Sequence, residues 1–261
     1  MPKDNISNTN NDSKQPIEVT LEQEYTQTLL QNSNQAYNTQ INDLLLTALV
    51  KTFAQYTNQS FLLIDLESQG RTITDSNLDL SRTVGWFTNI YPVLLDLQDT
   101  KDLEENIKII KEQLHQAKQQ SFDYSISRYI EDNQQLKRLP IAPISFNYLG
   151  QFDNLQSASS IFRLAPESTG LNSARENKIS HGITINSSIT NFLLQIQWNY
   201  DPSKYQSKTI INLAENYIDN LQQIINHCHL SIGGYTPSDF SLVELEQNTI
   251  DSIVDLVDFD D

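Results

Sequence analysis

The 261 residues carry 33 acidic and 17 basic side chains, a net charge of −16, and 38% of them are hydrophobic. That acidic surplus argues against nucleic acid and anionic membranes as partners; it serves solubility, or it favours a basic partner surface. A single cysteine, Cys228, excludes an internal disulfide framework and fits a reducing cytoplasm.

In chain order, residues 1 to about 17 are Asn, Ser, Asp, Lys and Gln with little apolar content, which reads as a disordered lead. No apolar segment of signal-peptide type follows Met1, and runs such as Leu44-Leu45-Leu46 are too short to cross a bilayer, so a cytoplasmic protein is expected. Ordered chain begins at Val19-Thr20-Leu21, with Thr20 expected to cap a helix carrying Glu22, Glu24, Leu29 and Leu30. Ile41, Leu44, Leu45, Ala48, Leu49 and Phe53 recur at helical spacing and predict a helix from about 40 to 57. Phe61-Leu62-Leu63-Ile64-Asp65-Leu66 is a near-continuous apolar run of strand length, for which cover on both faces is expected. Glu67-Ser68-Gln69-Gly70-Arg71 leaves that strand as a polar loop, and a second apolar stretch runs from Trp86 to Leu97.

Asp99 to about Gln120 predicts an amphipathic helix with Leu103, Ile107, Ile110 and Leu114 on one face, and a shorter helix is expected over 124 to 135. Pro140 and Pro143 then interrupt the chain ahead of the strand Ile144-Ser145-Phe146-Asn147-Tyr148-Leu149-Gly150-Gln151-Phe152-Asp153. Within it Phe146, Tyr148 and Phe152 can pack, Asn147 and Gln151 can hydrogen-bond, and Gly150 permits a bulge or a close backbone approach. Residues 154 to 178 read as a polar loop. His181–Asn186 and Phe192–Tyr200 alternate as a hairpin, with Asn186 to Asn191 as its turn region. Tyr205 to His229 is a long helix. His227, Cys228 and His229 are consecutive, so on a helix they diverge, and Cys228 reads as structural rather than as a metal ligand. Strands alternating with helices argue an α/β or α+β layered fold with a mixed sheet.

Five stretches together resemble one family. Phe146-Asn147-Tyr148-Leu149-Gly150-Gln151-Phe152 is similar to a signature of epimerization domains, the condensation-like units of nonribosomal peptide synthetases. Ala36 to Leu49, Arg82-Thr83-Val84-Gly85-Trp86-Phe87-Thr88, Phe162 to Gly170, and Gly233-Gly234-Tyr235-Thr236-Pro237-Ser238-Asp239-Phe240 resemble further landmarks, in the family's order, across about 19 to 245. The resemblance implies one lobe, spanning 18 to 245, of a chloramphenicol acetyltransferase-like two-lobe fold, with residues 246 to 261 as an acidic tail. It also implies an active-site tunnel between the lobes, reached by aminoacyl or peptidyl groups on the phosphopantetheine arm of a carrier protein, and no directly bound cofactor. The family's His-His-x-x-x-Asp-Gly motif belongs to the first lobe. Here His115, His181, His227 and His229 are never adjacent and match no such motif, so the chain is expected to represent the second lobe and to be inactive alone.

The same resemblance marks the candidate site. Glu67-Ser68-Gln69-Gly70-Arg71 is similar to the family's Glu-Gly-His-Gly-Arg, matching at Glu67, Gly70 and Arg71 and departing at Ser68 and Gln69. α-Proton exchange needs a base on one face of the carbon, a proton source on the other, and stabilisation of the enolate-like oxygen. Glu67 is the candidate proton carrier if apolar walls raise its pKa; otherwise it is a solvated loop residue paired with Arg71. Tyr148 is the candidate donor to the thioester oxygen and Asn147 its orienting neighbour, or both serve the sheet alone. Arg71, Arg82, Trp86 and Gln151 are expected along the pantetheine tunnel. Arg82 has Asp79 and Glu67 as alternative partners, and Trp86 and Phe87 have the core as an alternative. His181 reads as a satisfied structural histidine, and no metal-ligand spacing stands out. Two functions are carried forward: half of an epimerase or condensation-type enzyme completed by a separately encoded first lobe, or a non-catalytic module that binds carrier proteins or self-associates.

Overall fold

The computed structural model describes residues 2–4, 16–70, 79–85, 87–152, 180–240, 242–243 and 245–257. The elements are β1 (Ile17–Leu21), α1 (Gln23–Gln31), α2 (Ser33–Ala36), α3 (Ile41–Thr57), β2 (Phe61–Gln69), β3 (Thr88–Asp96) and α4 (Leu103–Ser125), then α5 (Gln134–Arg138), β4 (Ile144–Gln151), β5 (Ile183–Thr190), β6 (Leu193–Tyr200), α6 (Ser207–Leu230) and α7 (Gln247–Val257). Period-two burial dictates a single sheet. Leu62, Ile64 and Leu66 of β2, Tyr91, Val93 and Leu95 of β3, Ile183, Ile185 and Ile189 of β5, and Leu194, Ile196 and Trp198 of β6 are all buried. The strand order is β1-β6-β5-β4-β2-β3. β4 runs parallel to both β2 and β5, and the other pairs are antiparallel. This is the mixed sheet flanked by helices that the alternation of elements implies.

α3 and α6 fill the layer over the sheet. Leu44 to Val50 form an unbroken buried run, so α3 lies between other elements rather than on the surface. Tyr217 of α6 is fully buried and its hydroxyl donates to Leu45 O at 3.2 Å, which ties the two helices. Trp198 packs between Phe53 and Tyr217. Cys228 is buried in the same core, and burial pushes its thiol up to about 12; the flanking His227 turns to Tyr37, with Nε2 2.8 Å from its hydroxyl, while His229 is exposed.

Several local expectations are corrected. Thr20 caps no helix: β1 pairs antiparallel with β6, Thr20 opposite Gln195, and α1 starts after Glu22. Thr26 takes over at the junction, donating to Leu21 O and accepting from Leu194 N. β2 is buried on one face at Leu62, Ile64 and Leu66 and partly covered on the other, where Leu63 and Asp65 are half-buried, Asp65 under His181, and Phe61 is exposed. The hairpin turn is Asn191-Phe192 alone, both at positive φ (54° and 61°), which matches the twist of the flanking strands and lets β5 run to Thr190. α4 begins at Leu103 rather than Asp99 and extends to Ser125. A widened turn over Ile126–Ile130 follows where the shorter helix was expected, and α5 comes only at Gln134. Within the lead, Asp4 is anchored, its N–H donating to Lys204 O and its carboxylate accepting from Gln206 N, while 5–15 lie outside the described residues. The expected loop 154 to 178, with the Phe162 to Gly170 stretch inside it, also lies outside the described residues. The acidic tail contains α7, with Ile250 buried.

The segment after α6 returns across the helices. Gly234 N donates to Ala36 O at 2.8 Å, and Lys111 of α4 donates to Tyr37 O and to both carboxylate oxygens of Asp239 at 2.7–2.8 Å. Gly233 sits at φ +93°, where a Cβ would lie 2.2 Å from Ala36 O, whereas at Gly150 (φ +92°) a Cβ would meet nothing within 4 Å. Both positions carry the left-handed penalty, but only Gly233 adds a backbone clash. Gly233→Ala is therefore expected to destabilise by roughly 3 kcal/mol or more and Gly150→Ala by about 1 kcal/mol. Urea midpoints of the two variants check this; equal losses would contradict it.

Candidate functional site

The register of β2 and β4 builds the site. Leu66 lies opposite Phe146 in the parallel ladder, so Glu67 and Asn147 follow side by side. The Asn147 amide Nδ2–H donates to Glu67 Oε2. On the other side of β4, Asn147 O accepts from Ser187 Oγ at 3.3 Å. Tyr148 alternates to the core side, half-buried against it, and burial holds its phenol up at about 12. It is therefore a hydrogen-bond donor throughout the physiological range.

These residues border one cavity of about 840 Å³ at the carboxyl ends of β2 and β4. Leu66 to Gln69 and Phe146 to Leu149 form one wall, the first turn of α3 a second, and Lys111, Leu114, His115 and Lys118 of α4 a third, with Phe87 and Thr88 at the rim. The Glu67 side of the cavity is open and amide-lined: Glu67 is exposed, and its hydrogen-bond partner among the described residues is an amide. Among the described residues, Glu67 is therefore not enclosed by the apolar walls expected around it, although Leu66, Phe87 and Leu149 line the same cavity. Gly70 is held against the rim, its N–H donating to Phe87 O, and a Cβ there would come within 2.7 Å of that oxygen. Close backbone approach explains this glycine of the Glu67–Arg71 stretch.

Of the other expected site residues, two that are described, Arg82 and Gln151, stand outside the cavity wall. Arg82 is exposed on the 79–85 segment, outside the cavity wall, and among the described residues no ion pair joins it to Asp79 or Glu67. Gln151 ends β4 opposite Ile189, exposed and outside the cavity wall, because the ladder shifts register between Tyr148 and Gln151. Arg71 and Trp86 lie outside the described residues. His181 is satisfied, with Nε2 2.8 Å from Asp65 Oδ2 and Nδ1 2.9 Å from Ser180 Oγ. Among the described residues no group of three His, Cys, Asp or Glu side chains is placed to hold a metal, and no helix is long and apolar enough to cross a membrane.

Asp43 and Asn42, which sequence reasoning absorbed into a helix, line the same cavity. The available signal was the polar Gln40-Ile41-Asn42-Asp43 ahead of the leucines: Gln40 and Asp43 close a capping box, with Gln40 N donating to Asp43 Oδ2 at 2.7 Å. Burial raises the Asp43 carboxyl to about 6; the Gln40 bond and the Lys111 and Lys118 charges oppose the rise. A carboxyl raised on folding contributes stability that is complete below its ordinary value of 3.8 and is lost as pH rises through about 6. Asp43→Asn mimics the neutral form and keeps an acceptor for Gln40 N. Relative to the parent, it is expected to gain roughly 2 kcal/mol between pH 4 and pH 7.5, read from urea midpoints. A difference that stays constant over that range would contradict the assignment.

Comparison with known proteins places this architecture. The condensation domain family model matches residues 1–241. A linear gramicidin synthase polypeptide of Brevibacillus parabrevis is 41% identical over 258 residues, covering 97% of this chain and 3% of that protein. Gramicidin S synthase 1 of Brevibacillus brevis is 37% identical over 253 residues, covering 92% of this chain and 23% of that protein. Among solved structures, the epimerization domain from the third module of tyrocidine synthetase B superposes with a TM-score of 0.76 at 33% identity. The match covers 87% of this chain and 51% of that one, so the chain spans about half the length of the solved domain and a small part of the synthetases. With the six-stranded mixed sheet and these matches together, the chain belongs to the condensation domain family of nonribosomal peptide synthetases.

Proposed function

We propose that the chain serves as the second lobe of an epimerization-type condensation domain and acts on aminoacyl or peptidyl thioesters carried by a phosphopantetheine arm. The observation that carries this reading is the gathering of Glu67, Asn147 and Tyr148 around one cavity at the carboxyl ends of two parallel strands. The likeness to an epimerization domain about twice as long supports a partner lobe contributing the opposite wall. Condensation domains of these synthetases work with carrier proteins, so a carrier protein is the partner proposed here.

The chemistry divides between the lobes. Glu67 takes the α-proton from, or returns it to, one face of the α-carbon, and the complementary group on the other lobe serves the opposite face. As the C–H bond breaks, its electron pair moves toward the thioester oxygen, where Tyr148, protonated because of its burial, donates a hydrogen bond. Return of a proton to the opposite face inverts the centre, and the thioester stays intact. Asn147 holds the Glu67 carboxylate by its amide N–H, which fixes the direction of proton transfer.

The test combines the chain with a polypeptide bearing the His-His-x-x-x-Asp-Gly lobe and an aminoacyl-loaded carrier protein in D₂O. Deuterium is expected at the α-carbon, slowed about 100-fold or more by Glu67→Gln and about 10- to 100-fold by Tyr148→Phe. A stable assembly that exchanges no deuterium, or one indifferent to Glu67→Gln, overturns the catalytic reading and leaves carrier binding or self-association as the role.

A further inference from the structure

The buried residues of the sheet share one core with α3, α4 and α6, and the opposite face of the sheet carries a pattern of its own. β4, β5 and β6 contain no charged side chain, in a chain of which 19% is charged. Asn147 of β4 stands opposite Asn186 of β5, and Asn186 opposite Gln197 of β6. An amide row therefore crosses three strands, all three side chains half-buried, and it starts at the residue bonded to Glu67. Ser188 and Gln195, opposite each other on β5 and β6, continue the neutral surface beside it. Among the described residues the Asn186 and Gln195 amides are spent on no other group, and Gln197 only accepts from Asn199 Nδ2 at 3.3 Å. A face turned simply to water would carry charges. A row without them holds no ion, and it makes a poor dry protein interface, because every amide covered without a partner is costly. It matches a peptide backbone, in which each unit presents one N–H and one C=O and no charge.

We propose that the Asn147–Asn186–Gln197 row is a track for the peptidyl chain of the substrate, so that the domain takes peptidyl thioesters in preference to aminoacyl ones. The proposal rests on the reading of Glu67, Asn147 and Tyr148 as the thioester site, and it names the substrate class of that site. Continuity identifies the occupant. Asn147 belongs to both the site and the row: its amide N–H holds Glu67, and its Oδ1 is unspent among the described residues. With the α-carbon at Glu67, the thioester side of that carbon lies toward Tyr148 and the cavity, and its nitrogen side leads along the row. Neighbouring strands lie ~4.8 Å apart, so the row covers about 10 Å from Asn147 to Gln197, the length of about three extended residues. A lone aminoacyl group reaches Asn147 at most and gains nothing from the two amides beyond it. Asn186 and Gln197 bind and orient the chain; they transfer no proton.

The test measures calorimetric affinity of the full chain for non-hydrolysable aminopantetheine amides acylated with N-acetyl-alanine, N-acetyl-tetraalanine or N-acetyl-hexaalanine. All three probes are neutral, so only length differs. The four-residue probe is expected to bind about tenfold more tightly than the one-residue probe, and the six-residue probe within about twofold of the four-residue one, because the row ends. Asn186→Ala and Gln197→Ala, both at half-buried positions outside the core, are each expected to cut that advantage to about threefold and together to below about twofold. Affinity for the one-residue probe is expected to stay within about twofold. Affinity that does not rise with length, a rise indifferent to both variants, or no binding of the four-residue probe overturns the track. So do variants that loosen assembly with the first lobe and leave the length dependence intact, since the face would then be a lobe interface. If the length dependence is absent while the assembled two-lobe enzyme still exchanges α-deuterium, the track falls alone. If exchange is absent as well, the thioester reading falls with it.

Discussion

The parallel pairing of β4 with β2, Ile64 to Leu66 against Ile144 to Phe146, is the contact on which the site depends. Parallel ladders bring the carboxyl ends of two strands to the same edge, and in a layered fold that edge is where a cavity forms beyond the helices. Here it sets Glu67 beside Asn147 and leaves Tyr148 over the core side, so three side chains from two strands reach a single cavity. A slip of one residue would exchange the faces of Asn147 and Tyr148 and bury the amide in place of the phenol. The apolar alternation Ile144–Phe146 against Ile64–Leu66 opposes that slip, because every displaced residue would leave the core. Core packing and site geometry are therefore one constraint.

Charge is arranged around this frame by burial. The Lys111–Asp239 pair, 7% and 13% exposed, joins α4 to the segment that follows α6, and Lys111 also satisfies the carbonyl of Tyr37. Removing either partner would strand the other charge in the interior, so the pair fixes the position of α4 as a cavity wall more than it adds net stability. Gly233 and Gly234 permit the same return path by letting the backbone touch Ala36. Sequence segments about 200 residues apart, Ala36–Tyr37 and Gly233–Asp239, are thereby locked to each other just ahead of α3, whose first turn carries Asp43.

The sequence exposed what depends on periodicity. α3, α6 and the strands β2, β4 and β6 follow from spacing of apolar residues, and the family's ordered motifs pointed to Glu67, Asn147 and Tyr148. What depends on long-range pairing was hidden. Thr20 reads as a helix cap until β6 claims β1 as a neighbour. Phe192 is an unfavourable residue for positive φ, so propensity placed the turn too early and too wide. Glu67 was expected among apolar walls because the run before it is apolar, but the last residues of β2 emerge from the core and meet the amide of Asn147. Asp43 was passed over because a carboxylate in the first helical turn reads as ordinary capping. Only the packing of α4 across it reveals a buried acid facing a cavity.

In the proposed reaction Glu67 and Asn147 act as one catalytic unit, joined by a hydrogen bond across the β2–β4 ladder. A double-mutant cycle on the α-deuterium exchange rate of the assembled two-lobe enzyme measures that coupling most directly, using Glu67→Gln, Asn147→Ala and their combination. If the two act as a unit, the double variant exchanges no more slowly than Glu67→Gln alone. Losses that multiply independently would contradict this, since Asn147 would then act on something other than the Glu67 carboxylate.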